Sequence, residues 1–195
     1  LLYYGGCRIK ANKFYFSEEP SDREVYTAYL SGANALVDAK KLKELKGFDE
    51  IYSPFSSEDF DLSLRAWQLG WKCYYEHQSV CFHHVSGSTK TQIKSNFIKE
   101  IYYRNRYILQ EIHLEGLRRI LYPLQQLFTE LIPKILTGKL WVWKSYKAYL
   151  EHKQGINLSR QHLSALKKKH QSALNISDVI KFIDQSTVSK KINRL

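Results

Sequence analysis

The chain has 195 residues, enough for one sizeable core with an appendage. Hydrophobic residues make up 44% and charged residues 25%, the make-up of a soluble globular protein and not of a disordered chain. The net charge of +11 lies in the second half: residues 101–195 hold 17 basic and 6 acidic side chains, whereas residues 1–100 balance at 13 and 13, which implies two tasks.

No Met occurs, and the chain opens inside an apolar stretch, Leu1-Leu2-Tyr3-Tyr4, so a piece of a longer or processed protein is expected. No basic segment followed by an apolar one opens it, so a signal peptide is not read there. Cys7, Cys73 and Cys81 are odd in number and lack CxxC spacing, which argues against a disulfide scaffold and a zinc site. They read as small buried hydrophobes in a reducing compartment.

Residues 1–4, 14–16 and 25–30 read as short β-prone pieces, separated by Gly5-Gly6 and by the polar run 17–24 with Pro20. Ser31-Gly32-Ala33-Asn34-Ala35 are small, as though a backbone must come close to something. Asp38 predicts the cap of a helix over 39–46, with Leu42 and Leu45 on its apolar face and Gly47 at its stop. Ser56 and Asp59 fit a capping box opening a second helix, on which Phe60, Leu64 and Trp67 share a face and Gly70 ends the run. Asp61 and Arg65 stand at i, i+4 and can pair. Residues 71–75 and 79–83 read as strands, with His83-His84 at the end of the second.

From Gln92 the pattern is helical. Residues 117–150 mix apolar and aromatic side chains with Arg and Lys, and Pro123, Pro133 and Gly138 are expected to break them into short helices. No uninterrupted apolar run approaches the roughly 18 residues a spanning helix needs. A basic amphipathic hairpin lying on an anionic membrane face fits this composition, against an ordinary helical subdomain with a solvated basic face. Residues 159–195 read as a partly ordered tail with a last short helix, capped by Ser177 or Asp178 and faced by Val179, Ile180 and Ile183.

Glu58, Asp59 and Asp61 put three carboxylates into four residues at a helix start. One reading is capping and compensation of the helix dipole. The other is a general base, since crowded acids raise one another's pKa. His83 reads either as a structural histidine at a strand end or as an imidazole ligand for a divalent ion.

In order, Ser-Gly-Ala-Asn-Ala (31–35), Gly-Phe-Asp-Glu (47–50), Glu-Asp-x-Asp-Leu (58–62), Arg65, Gly70-Trp71, His83 and Ser88 resemble the C-terminal half of a family 2 glycosyltransferase of GT-A fold. The resemblance is closest to bacterial surface-polysaccharide enzymes such as rhamnosyltransferase-like proteins. It runs from about Tyr29 to Tyr107 and continues more loosely through Arg104-Asn105-Arg106 and Arg160. It implies an α/β fold: residues 1–92 as the acceptor-side part of a GT-A domain, then residues 93–195 as a mainly helical basic region that docks at a membrane surface. It implies an inverting transfer of sugar from a nucleotide-sugar donor to a saccharide or lipid-linked acceptor at the cytoplasmic face of the cell membrane. Asp59 would be the catalytic base and Glu58 its support. Gly32, Ala33 and Asn34 would line the donor–acceptor cleft, and the helix pair Asp61 and Arg65 is placed with them in the substrate-binding set. His83, with His84 behind it, would help hold Mg²⁺ or Mn²⁺ on the donor diphosphate.

The family's Asp-x-Asp nucleotide-binding half is not found before Ser31, where the acids are Glu18, Glu19, Asp22 and Glu24, so no complete donor site and weak or no donor binding by this chain alone are expected. The rival readings are a non-catalytic basic module for anionic membrane or nucleic acid, and a structural partner of a catalytic subunit. No helix-turn-helix, RNP or zinc-finger pattern supports nucleic acid.

Overall fold

The computed structural model describes residues 1–12, 14–16, 24–80, 95–187 and 192–194. The architecture is mixed α/β, with an antiparallel strand pair at the start, a second pair joining the start to the last strand, and helices over most of the rest. At its centre lies helix α2 (Glu58–Gln68), buried continuously from Asp61 to Gln68. Leu64 and Trp67 are the buried face that the spacing predicts, but the other side of the helix is covered as well.

The elements around α2 explain that burial. The segment before it crosses over α2, with Trp67 Nε1 donating to the Thr27 carbonyl at 2.9 Å. Helix α1 (Ala39–Glu44) starts at Asp38, whose carboxylate accepts from Lys40 N–H at 2.8 Å and Lys41 N–H at 3.1 Å, as the sequence predicts. Gly47 ends that turn at φ +69°, a backbone angle that costs a Cβ-bearing residue more than glycine. A single 3-10 turn, Glu50–Tyr52, then leads to α2. Helix α3 (Ser95–His113) reaches α2 through its last turn, and α8 (Ile176–Thr187) stacks Phe182 on Trp67 with ring centroids 6.4 Å apart.

Several expectations are corrected. The capping box at Ser56 and Asp59 does not form: Ser57 is the N-cap, at φ +78°, and its side chain caps nothing. That left-handed backbone is not the extended one from which an N-cap side chain reaches the first-turn N–H groups, and the loop is held from outside instead. Residues 71–75 form no strand but a single bridge, Tyr26 to Tyr74, and Ser79 and Val80 lie in none. Cys81, His83, His84 and Ser88 lie outside the described residues.

At the start, β1 (Leu2–Gly5) and β2 (Arg8–Ala11) form a hairpin with Leu2 opposite Ala11. Strand β2 was not expected, because Arg-Ile-Lys offers one apolar residue in a short polar run. Two glutamines from later helices complete it. Gln110 bonds both the N–H and the carbonyl of Ile9, at 2.7 and 2.9 Å, and Gln125 bonds Cys7 N–H and the Gly5 carbonyl, at 2.6 and 2.8 Å. Strand β3 (Phe14–Phe16) pairs with β4 (Ile192–Arg194), also unexpected in the sequence.

In the second half, α4 (Gly116–Gln126) runs through Pro123 without breaking. Pro123 and Arg119 are both exposed, so the carbonyl that loses its donor faces water. A π-turn, Leu127–Leu131, and α5 (Ile132–Leu136) follow without a break in the helical backbone, Pro133 standing in the first turn of α5. Helix α6 (Trp141–Glu151) packs along α3 through Tyr103, Tyr107, Tyr146 and Tyr149. Among the described residues no helix is long and apolar enough to cross a membrane.

Residues 159–187 are no loose tail. Helix α7 (Lys153–Lys169) and α8 place Ile156, Leu163, Leu166, Val179 and Ile183 in the same buried cluster as Leu2 and Trp67. That cluster draws on residues from both sides of position 92, where a domain boundary was expected. The cap of α8 is Asn175, not Ser177 or Asp178. Its Oδ1 accepts from Ser177 and Asp178 N–H at 2.8 and 3.2 Å, while Asp178 returns a carboxylate to Asn175 N–H at 3.0 Å. Replacing Asn175 by Ala should therefore cost about 0.5–2 kcal/mol in a denaturant titration.

Cys73 is buried and free, its thiol pushed up to about 12 by burial, and Cys7 is half-buried and free.

Candidate active site

The small-residue loop and the start of α2 close on one carboxylate. Asp59 Oδ2 accepts from Gly32 N–H at 3.0 Å and from the Tyr29 hydroxyl at 3.1 Å. One turn on, Ser63 donates its hydroxyl to the Asp59 carbonyl at 2.7 Å and accepts from Leu30 N–H at 2.9 Å. Contacts from Tyr29, Leu30 and Gly32 thus pin residues 29–32 to the helix. The need for a glycine at position 32 has a steric cause: a Cβ there would stand 2.9 Å from Asp59 Oδ1. Burial, and then the charge of Asp59, push the Tyr29 hydroxyl up to about 12, so it stays a donor to Asp59. Asp59 Oδ1 has no hydrogen-bond partner among the described residues and stays half-exposed.

Glu58 stands beside it, partly buried, with Oε2 enclosed and without a hydrogen-bond partner among the described residues. Burial pushes its carboxyl up, its own N–H draws it partly back, and the charge of Asp59 adds to the rise. The two neighbouring acids therefore differ: Asp59 is fixed by two donors, whereas Glu58 is poorly solvated.

Asp61 takes a third course. It is fully buried and bonds Arg65 Nε at 2.6 Å, His113 Nε2 at 2.8 Å and the Tyr52 hydroxyl at 3.0 Å. Arg65 continues to the carbonyls of Leu45 and Gly47, at 2.8 and 2.9 Å, which ties α1 and its closing turn to α2. Gln68 Nε2 donates to His113 Nδ1 at 2.8 Å and also contacts the Leu64 carbonyl, so Nδ1 accepts and Nε2 carries the proton toward Asp61. Burial pushes the Asp61 carboxyl up, and Arg65 with His113 more than offsets this, leaving it below the ordinary carboxylate range.

The loop between the 3-10 turn and α2 is held by Arg104 and Asn105. Asn105 Nδ2 reaches the carbonyls of Tyr52, Phe55 and Ser56 at 2.6, 2.7 and 2.8 Å, and Arg104 bonds the Ser53 carbonyl. Arg160 caps the end of α3 by donating to the carbonyls of Glu111 and Ile112 at 2.5 and 2.9 Å.

Of the residues predicted from sequence, the structure brings together Asp59, Glu58 and Gly32. Ala33 and Asn34 occupy an exposed turn, Asn34 N–H meeting the Ser31 carbonyl at 3.1 Å. Asp61 and Arg65 are paired as their spacing predicts, and both are spent on protein partners in the interior. Tyr29, Ser63, Tyr52, Gln68 and His113 were not singled out, since only the fold brings them to α2. A cavity of about 350 Å³ opens beside Gly32, lined by Leu30, Ala35, Leu36, Val37, Phe48 and Leu62 among others. No three His, Cys, Asp or Glu side chains among the described residues converge to hold a metal ion.

An α/β chain with a fixed, half-exposed carboxylate at the mouth of an otherwise buried helix has the parts of an acid–base enzyme. A sequence model described as glycosyl transferase family group 2 matches residues 12–157, so this chain belongs to that family. The match takes in the Asp59 site, α3 to α6 and the first turn of α7. No curated protein and no solved structure matches the chain.

Proposed function

We propose that the protein is an inverting glycosyltransferase of GT-A type in which Asp59 is the general base. The observation that carries this reading is the division of labour on one carboxylate: Oδ2 is fixed by Gly32 and Tyr29, and Oδ1 is left for a substrate proton. The acceptor hydroxyl would hydrogen-bond Oδ1. As its oxygen attacks the anomeric carbon, the proton passes to Asp59, the new C–O bond forms, and the bond to the donor phosphate breaks with its electrons leaving on the nucleotide. Glu58 supports the acceptor side, where its raised carboxyl can share a proton with an incoming hydroxyl. The apolar lining of the cavity beside Gly32 supports a lipid-linked saccharide as acceptor. Work at the inner face of the cell membrane belongs to the same proposal.

A divalent ion, Mg²⁺ or Mn²⁺ with His83 as protein ligand, would offset charge on the departing diphosphate. The residues described here do not by themselves form its site, and no step above runs through it.

The test is transfer from nucleotide-sugar donors by the protein carrying Asp59→Asn. Loss of transfer with the fold retained supports the assignment, and full transfer by the folded variant overturns it. A second variant tests the loop. Gly32→Ala must push Asp59 or its own loop aside, and a shift on the order of 1 Å costs as much as 100-fold in rate. Transfer should fall by about 10- to 100-fold, with circular dichroism unchanged.

A further inference from the structure

Helices α4 and α5 with the π-turn between them carry their polarity inside out. Tyr122, Gln126 and Glu130 point into the protein. Glu130 is held there by Arg8 at 2.9 Å and by Arg106 and Lys134, both at 3.5 Å. The opposite row is apolar and bare: Ile120 is 72% exposed, Leu124 55%, Phe128 64% and Leu136 81%. A helix that meets only water and a protein core has these stripes the other way round. A continuous apolar face of this length marks a surface made for something other than water.

Its charges say what that is. Between residues 116 and 150 the one acid is the buried Glu130, which Lys134 faces, whereas Arg118, Arg119, Lys139, Lys144 and Lys147 are basic and exposed, Arg118 lying over the Tyr4 ring at 4.0 Å. Trp143, half-exposed, and Lys147 share a stripe of α6 at i, i+4, the aromatic-and-cation pairing that suits a lipid headgroup layer. We infer that the face from α4 to the start of α6 lies in the plane of an anionic phospholipid bilayer, its apolar row among the upper acyl chains and its Arg and Lys at the headgroups. A second copy of the chain is the poorer occupant, because two such faces would bring like charges together.

This surface extends the proposed function without resting on Asp59. Flotation of the full chain with vesicles reads it directly, with no sugar transfer in the assay. The wild-type protein should bind vesicles of phosphatidylcholine and phosphatidylglycerol, and bind phosphatidylcholine alone weakly. The double variant Leu124→Ser, Phe128→Ser should lower that binding by about tenfold or more. Both side chains are exposed, so the fold should survive, as circular dichroism would check. Lys139→Gln with Lys147→Gln should remove the preference for phosphatidylglycerol while leaving the apolar contribution. The inference is overturned if the wild type does not bind the mixed vesicles, or if the serine variant binds them as well as the wild type does. It is also overturned if the serine variant only dissolves a dimer in sedimentation without changing vesicle binding.

Discussion

In the Asp59→Asn protein the turnover rate should fall by about 10²- to 10⁴-fold, the size of effect that a positioned general base supplies. The amide oxygen of Asn can still accept from Gly32 N–H and the Tyr29 hydroxyl, so the loop over α2 has no reason to move. What the amide cannot do is take a proton at the position of Oδ1. The loss should therefore appear in kcat, with KM for the acceptor changed little. Glu58→Gln provides the contrast. The Glu58 carboxyl is raised by burial and lacks a partner at Oε2, so its amide should be tolerated by the fold and should chiefly change acceptor KM. If the two variants lost kcat equally, the base would belong to the pair and not to Asp59.

Much of this site could be read from the sequence because its parts are local. The i, i+4 spacing of Asp61 and Arg65 announces their pair, and the small residues 31–35 announce a close approach. The failures are equally physical. Ser56 and Asp59 had the letters of a capping box, but Asn105, some 50 positions away, draws the loop carbonyls into a shape that turns Ser57 left-handed. His113 and Tyr29 meet α2 only after the chain has folded, so no periodicity points to them. The apolar face of α8 was legible in Val179 and Ile183, but its destination on α2 was not. In α4 the periodicity shows a stripe without showing which stripe faces inward, and here the polar one does.

The same contacts connect the two halves of the protein. Asn105 holds the loop that presents Glu58 and Asp59, and its neighbour Arg106 pairs with Glu130 on the inner side of the bare apolar face. The site and the surface proposed for the bilayer are thus fixed to one short stretch of α3, which would hold the acceptor side of the site at a set position relative to the membrane.

Asp61→Asn should have the opposite outcome to Asp59→Asn: loss of stability rather than of the chemistry. Three buried donors converge on the carboxylate, and one is the guanidinium of Arg65. An amide keeps one oxygen acceptor but turns an NH₂ group toward a donor, and it leaves Arg65 buried without its counter-charge. Breaking a buried pair on one side costs about 3–5 kcal/mol. A domain of this kind has on the order of 5–15 kcal/mol in total, so urea unfolding should shift far toward low concentration. The pH dependence identifies the cause. The folded carboxyl lies below its unfolded value, so its contribution is complete above about pH 4 and is lost as pH falls through the folded value. The stability gap between wild type and Asp61→Asn should accordingly be wide at neutral pH and narrow on acidification. A gap that stayed constant with pH would mean that shape, not charge, makes Asp61 necessary, and the network beneath Asp59 would then owe its rigidity to packing around His113 and Tyr52.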